Sequence, residues 1–263
     1  TLHLVGLVFF LVALLVNLTG VKYGFPLLTH NDEPSILQHV INMTNSGSFV
    51  NTNYHKPHQT STHFFYGYLN IVSHIAYGQN IAKINEQDPT FMYLHARIIM
   101  CIIGALISLL AWNIGNLIEG PTLGFFFALL CLLYPSYIFN ARFVTSDITI
   151  TMFMFLTVFL ALKFLRTNKI KWLSLASIST GLCFMEKYPG LLTASVVIIA
   201  LILRFFSDKK TPTNQKVKQF FKDAFLMLIC FFFVLLVLGH NLYMNLDKVL
   251  EGLRNESRSF HPG

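Results

Sequence analysis

Charged side chains interrupt this largely apolar sequence at a few points, and the first lies in segment 29–34, with the sequence THNDEP. The carboxylates of Asp32 and Glu33 follow an apolar run by a few residues. Such a pair could act as a general base or bind a metal ion. The same residues suit a helix start, with Asp32 as the cap and Pro34 in the first turn. The spacing alone leaves both interpretations open.

A second candidate is segment 140–147, NARFVTSD, which forms a short turn between two apolar runs. Asp147 could cap the following helix, which is a common structural role. It also brings a second carboxylate to the side of the membrane that holds Asp32. Arg142 could pair with Asp147 or with a phosphate group.

A third candidate is segment 185–190, MEKYPG, which breaks an apolar stretch. Ionisable residues at membrane depth are costly and therefore indicate function by default. Lys187 suits the phosphate of an anionic lipid, and Tyr188 lies beside it. The structural alternative is a solvated pair of Glu186 and Lys187 at the surface.

Histidine is the fourth candidate, because six of the ten histidines lie between residues 30 and 74. His55 and His58 could hold a metal ion together with a carboxylate. Their spacing matches no strong zinc signature, so a structural role is favoured for them. The sequence predicts no cofactor with certainty and leaves a divalent metal ion open.

The elements that must position these residues are membrane helices. The chain has 263 residues, of which 54% are hydrophobic and only 12% charged, whereas soluble proteins carry about 25% charged residues. Continuous apolar runs of about 17–20 residues in lipid must be helical. We predict an all-α polytopic membrane protein with about seven transmembrane segments. They are Leu2–Leu18, Ile98–Ile114, Leu123–Phe139, Ile148–Phe164, Trp172–Met185, Gly190–Phe206 and Ala224–Gly239.

Basic residues predict the orientation of the spans. Two short connections, at 163–171 and 204–222, hold 10 of the 19 Lys and Arg residues, and positive charge marks cytoplasmic loops. The N-terminus is then cytoplasmic, and segments 19–97 and 241–263 lie outside. The three candidate acidic and basic segments all fall on that outer side. Membrane lipids are the expected surroundings, and nucleic acid is excluded as a partner because the basic residues flank apolar spans.

The first outer loop, 19–97, is too long to be a simple connector. Apolar residues recur at helical spacing over Pro34–Thr44 and over Thr62–Tyr77. Both stretches predict amphipathic helices that lie on the outer membrane surface. The four cysteines all sit within apolar runs and are typical of small core residues. No nucleotide-binding loop, zincin helix or serine nucleophile elbow is present.

In this order, the motifs resemble those of the GT-C superfamily of integral membrane glycosyltransferases. The closest resemblance is to the branch of the protein O-mannosyltransferases and the lipid A aminoarabinose transferase. In that branch an acidic pair follows the first span, and an arginine and an acidic residue occupy the next outer turn. The residues that carry the resemblance are Asp32-Glu33-Pro34, 54–57 through 66–69, Ala141-Arg142, Asp147 and Gly181 through Lys187-Tyr188.

The resemblance implies a single glycosyltransferase-like domain over 1–263, which forms the N-terminal part of a longer enzyme. It implies transfer of a sugar from a polyprenyl-phosphate donor to a hydroxyl of a protein, lipid or glycan acceptor, with inversion at the sugar. Asp32 would be the base, with Glu33 and Asp147 as further catalytic carboxylates. Lys187, Arg142 and Tyr188 would bind the donor phosphate. A bacterial plasma membrane is the expected location.

Two other classes of protein remain open at this point. A transporter or lipid flippase would show internal repeats or paired broken helices, and the sequence indicates only one break, at 185–190. A membrane scaffold without activity would not need acidic and basic groups gathered on one side of the membrane.

Overall fold

The computed structural model describes residues 2–25, 30, 32–49, 59–209 and 211–256, and within them all regular structure is helical. This confirms the predicted all-α membrane fold. The helices are α1 Leu2–Leu18, α2 Asp32–Ser46, α3 Gln59–Tyr77, α4 Ile81–Gln87, α5 Pro89–Ile118, α6 Pro121–Leu133, α7 Pro135–Asn140, α8 Ser146–Thr167, α9 Ile170–Glu186, α10 Thr193–Ser207, α11 Thr213–Leu238, α12 His240–Met244 and α13 Leu246–Glu256, with a 3-10 turn at Tyr188–Leu192 before α10.

Four segments of the described chain are long and apolar enough to cross a membrane. They are α5, α8, α11 and the unit formed by the 3-10 turn and α10, while α1 and α6 are shorter apolar helices. The short α9 packs against α8, α10 and α11. Each of the seven predicted segments therefore corresponds to a helix, or a pair of helices, in the bundle.

The long helix α5 is the centre of the bundle and packs against α1, α6 and α8. It crosses α6 closely where Gly115 meets Gly124. A Cβ built on Gly115 would lie 2.6 Å from the backbone nitrogen of Gly124. Small residues allow such close backbone approach in membrane bundles, where packing rather than water exclusion drives helix association.

The two predicted surface helices are α2 and α3, and both begin and end slightly beyond their apolar patterns. They lie at one end of the bundle, where α2 packs against α3 and α4, and α3 packs against α5 and α9. Their shared core includes Leu37, Val40, Phe65 and Leu69, which are fully buried. The opposite face of α3 exposes further apolar residues, including Ile71, which suits a helix that lies in a membrane interface.

The structure also differs from the expected elements in three places. The segment predicted as Leu123–Phe139 is broken at Tyr134, because Pro135 lacks the N–H that a continuous helix needs. It is a second broken helix, in addition to the one indicated at 185–190. The helices α4, α12 and α13 were not predicted, because α4 is only 7 residues long and because α12 and α13 follow the last apolar run, in a polar tail.

Candidate active site

A buried ion pair organises the end of the bundle that holds α2 and α3. The guanidinium of Arg97 donates to both carboxylate oxygens of Glu33, at 2.7 Å from Nε and 2.6 Å from Nη2. Both side chains are completely buried. The Nη1 group of Arg97 also donates to the carbonyl oxygens of Val21, at 3.0 Å, and Tyr23, at 2.7 Å. This one arginine therefore joins α5, α2 and the chain that follows α1.

The same ion pair reaches the turn before α8. The backbone N–H of Val144 donates to Glu33 Oε1 at 3.0 Å. The aromatic rings of Phe25 and Phe143 enclose Arg97, with their centroids 4.5 and 4.8 Å from its Cζ. Such contacts add cation–π attraction to the pair. The acidic segment at 32–34 and the segment 140–147 are thus held together at this end of the bundle.

Asp32 differs from its neighbour because its side chain is exposed at the start of α2. Among the described residues its carboxylate accepts no hydrogen bond and forms no ion pair. Its backbone N–H donates to Nδ1 of His30 at 3.3 Å, and the ring of His30 stacks on Phe143 with the centroids 4.7 Å apart. In its neutral form His30 therefore carries its proton on Nε2. Both carboxylate oxygens of Asp32 are therefore without a partner among the described residues.

Arg142 lies against the carboxyl end of α1. Its Nη2 donates to the carbonyl of Val16 at 3.2 Å and to the hydroxyl of Thr19 at 3.3 Å. A cation at this position is favourable because the last carbonyls of a helix carry partial negative charge. Gly20 leaves the room for this approach, since a Cβ there would lie 2.7 Å from Nη1. Arg142 is thus already engaged in fixing α1.

Lys187 and Asp147 form an exposed ion pair. The Nζ of Lys187 lies 2.8 Å from Oδ1 of Asp147, and the two side chains are 43% and 60% exposed. Asp147 is in the first turn of α8 and does not act as its cap, since Thr145 occupies that position. Exposed ion pairs contribute only about 0–1 kcal/mol. A phosphate group can therefore replace Asp147 as the partner of Lys187 at little cost.

The backbone around Lys187 explains why this lysine projects from the bundle. Helix α9 ends at Glu186, Lys187 is extended, and the 3-10 turn follows directly. Gly190 permits this turn, because a Cβ there would lie 2.3 Å from the carbonyl oxygen of Cys183. The ring of Tyr188 contacts Phe184, with centroids 5.7 Å apart, so Tyr188 lies beside Lys187 but packs back on α9.

A groove on the side of the bundle reaches Asp147, the acidic partner of this ion pair. It lies between α6 and α8, which both pack on α5 and make few contacts with each other. Its upper part has a volume of about 420 Å³ and is lined by Asn140, Asp147 and Thr151 among apolar residues. Its deeper part has a volume of about 440 Å³ and is wholly apolar. Both parts share Leu130, Cys131 and Phe155.

The sequence offered one pair of histidines as candidate metal ligands. His55 and His58 lie outside the described residues. Within the part of the chain that the structure describes, no three His, Cys, Asp or Glu side chains are grouped to hold a metal ion. Among the other histidines, burial lowers the pKa of His63 below its usual value of 6.5, so His63 brings no positive charge to this end of the bundle at neutral pH.

Sequence reasoning missed two residues of this region. Arg97 precedes the apolar run of α5, and an arginine so near a span is itself a signal of a buried partner. Glu186 was considered only with Lys187 as a solvated pair, yet its side chain is fully buried and bonded to Ser61. The partners lie 64 and 125 residues away in sequence, and local spacing carries no information about them.

These observations define a class of protein, a helical membrane bundle with ionisable groups gathered at one end. A family model described as dolichyl-phosphate-mannose-protein mannosyltransferase matches residues 44–249, and the chain belongs to this family. It is therefore a membrane glycosyltransferase of the GT-C superfamily, in the protein O-mannosyltransferase branch, and uses a polyprenyl-phosphate sugar donor. No curated protein and no solved structure matches the chain. The matched range includes Arg142, Asp147, Lys187 and Tyr188, whereas Asp32 and Glu33 precede it.

Proposed function

We propose that this chain transfers a sugar from a polyprenyl-phosphate donor to a hydroxyl group on the outer face of a membrane, with inversion at the anomeric carbon. The observation that carries the proposal is the ion pair of Lys187 and Asp147 at the mouth of an apolar groove. That arrangement offers a cation for a phosphate and an apolar channel for a lipid chain. The family name makes mannose the first sugar to test and a protein hydroxyl the first acceptor.

In the proposed reaction the acceptor oxygen attacks the anomeric carbon from the face opposite the phosphate. The bond between that carbon and the phosphate oxygen breaks, and polyprenyl phosphate leaves with the electron pair. Asp32 accepts the hydroxyl proton as the new bond forms. Lys187 stabilises the negative charge on the departing phosphate, and Asp147 orients the acceptor once the phosphate has taken its place beside Lys187.

Glu33 receives a different role from the one that the family resemblance implied, and Arg142 keeps its place as the second candidate for the donor phosphate. Glu33 is fully buried and bonded to Arg97 through both oxygens, so we assign it to holding the acidic segment in place. Arg142 is engaged with the end of α1, so we rank it behind Lys187 as a phosphate ligand. Tyr188 remains a candidate at the edge of the donor site.

Replacing Lys187 with alanine is expected to weaken donor binding by roughly 10- to 100-fold, because a charge-assisted contact contributes about 1.5–3 kcal/mol. The measurement is a titration of purified protein in nanodiscs with a panel of polyprenyl-phosphate sugars. Lys83→Ala is the matched control, since Lys83 is an exposed lysine on α4 at the same end of the bundle. Equal donor affinity for Lys187→Ala and the wild type would contradict the assignment of Lys187.

The groove supplies a second prediction. Val158→Trp places a large ring in the deeper, apolar part of the groove and is expected to reduce donor affinity at least about tenfold, because each buried CH₂ contributes about 0.8 kcal/mol. Leu236→Trp, on the exposed face of α11, should bind donor normally.

A smaller groove of about 160 Å³ lies between α9, α10 and α11. Loss of binding in Ile198→Trp, with normal binding in Val158→Trp, would place the donor chain there instead.

We place the site end of the bundle outside the membrane, in a bacterial plasma membrane. The basic connection at 163–171 lies at the opposite end, where Arg166 donates to the carbonyl of Leu117 at the end of α5. Positive charge there supports a cytoplasmic assignment for that end. Cysteine labelling from the outside should therefore modify Asp32→Cys and spare Lys169→Cys.

A further inference from the structure

Glu186 is a fully buried carboxylate at the last residue of α9. Its Oε2 accepts the backbone N–H of Ser61 at 2.8 Å, and its Oε1 accepts the hydroxyl of the same serine. Ser61 is the third residue of α3, where helix N–H groups have no partner within the helix. The hydroxyl of Thr60 adds a bond to the carbonyl of Leu182 at 2.8 Å. The first turn of α3 is thus fastened to the last turn of α9.

A carboxylate is a costly means of fastening two helices, because it must lose its hydration on burial. The positive end of the α3 dipole offsets part of that cost. A neutral polar side chain with similar hydrogen bonds would cost less to bury. The charges that act on Glu186 are those of Lys187 and Asp147, which form the exposed ion pair of the candidate site. The position of this carboxylate therefore calls for a role connected with that pair.

The backbone provides the connection. Lys187 directly follows Glu186, its N–H donates to the carbonyl of Cys183 at 3.1 Å, and the chain then enters the 3-10 turn. Because the side chain of Glu186 is held by Ser61, the peptide that carries Lys187 has a fixed orientation at the end of α9. Movement of α3 and the direction of the lysine are thereby coupled.

We propose that Glu186 is a positioning residue for donor binding, which locks the amino end of α3 onto α9 and so fixes the Lys187 ammonium at the mouth of the groove. This inference rests on the proposed function, in which Lys187 binds the donor phosphate. Glu186 does not touch the donor and acts through Lys187. A displacement of a binding group by about 1 Å can lower activity by up to about 100-fold.

The test is a double-mutant cycle on donor affinity, measured with polyprenyl-phosphate mannose in nanodiscs. Glu186→Met keeps the length of the side chain but removes both acceptors for Ser61, and it should weaken donor binding by about tenfold, while the KM for the acceptor stays unchanged. In the Lys187→Ala background the same substitution should have no further effect, because the group through which it acts is gone. An equal loss in both backgrounds would overturn the proposal, since it would indicate general loosening of the bundle.

Ser61→Ala and Glu186→Asp give milder versions of the change if Glu186→Met does not fold. Ser61→Ala should weaken donor binding less than Glu186→Met, because the backbone N–H bond remains. Hydrogen exchange over residues 59–65 should rise in the same order. Ser174→Ala is the control, since its hydroxyl bonds within α9 at the other end of that helix.

The two proposals fail in different ways. Absence of donor binding by folded wild-type protein would remove the proposed function. Donor binding that weakens in Lys187→Ala but stays at the wild-type level in Glu186→Met would remove only the role of Glu186.

Discussion

Arg97→Ala is expected to lower the free energy of unfolding by roughly 3–5 kcal/mol, because it leaves the buried carboxylate of Glu33 without its counter-charge. Net stabilities of folded domains are about 5–15 kcal/mol, so this loss removes a large share of the stability of the protein. The carbonyls of Val21 and Tyr23 would lose their donor as well. The expected result is a sharply lower melting temperature in detergent and a smaller peak of folded protein in size-exclusion chromatography.

A neutral replacement of both partners tests the cause. Glu33→Gln combined with Arg97→Met should recover part of the stability, because it removes the unpaired charge as well as the pair. Lys83→Ala should leave the melting temperature unchanged, since Lys83 is exposed. If Arg97→Ala melts like the wild type but transfers no sugar, the pair acts in the reaction, and the catalytic role first expected for Glu33 is restored.

The fold could be predicted from the sequence to the extent that lipid dictates it. Apolar runs must be helical in a bilayer, so each predicted segment corresponds to a helix or a pair of helices in the structure. The runs show only the part that crosses the lipid, however. The segment predicted as Ile98–Ile114 is the middle of a helix that begins at Pro89, because Asp88 caps it outside that part. The break at Tyr134 was missed because hydropathy does not register that Pro135 lacks a backbone N–H.

The different fates of Asp32 and Glu33 could have been predicted from helical phase. Glu33 precedes Ile36, Leu37 and Val40 by three, four and seven residues, and all four side chains lie on the buried face of α2. Asp32 falls outside that face. The identity of the partner, Arg97, could not be predicted in this way, because it lies on another helix.

The site could be predicted only as a set of residues on one side of the membrane. Lys187 and Asp147 were both candidates, and the structure pairs them directly. The burial of Glu186 was not foreseen, because neighbouring side chains at a helix end can point in opposite directions. Only tertiary packing decides which of them is solvated.

Asp32→Asn is expected to lower the transfer rate by roughly 100- to 10,000-fold, because a general base contributes about that much and an amide cannot accept the proton. The substitution preserves the size of an exposed side chain that makes no bond within the described residues, so folding should be unaffected. Donor affinity should also stay at the wild-type level, since the phosphate is bound elsewhere. The measurement is the rate of sugar transfer at saturating donor, with donor binding recorded on the same preparation.

Glu86→Gln is the matched control, because Glu86 is an exposed acid on α4 at the same end of the bundle. It should transfer sugar at the wild-type rate.

The anomeric configuration of the product, read by nuclear magnetic resonance, tests the same mechanism independently. Attack opposite the phosphate with Asp32 as base requires inversion. A retained configuration would require a covalent sugar–enzyme intermediate and would make one carboxylate a nucleophile. Near-normal transfer by Asp32→Asn would move the base to another group at this end of the bundle, with Asp147 the first to be tested.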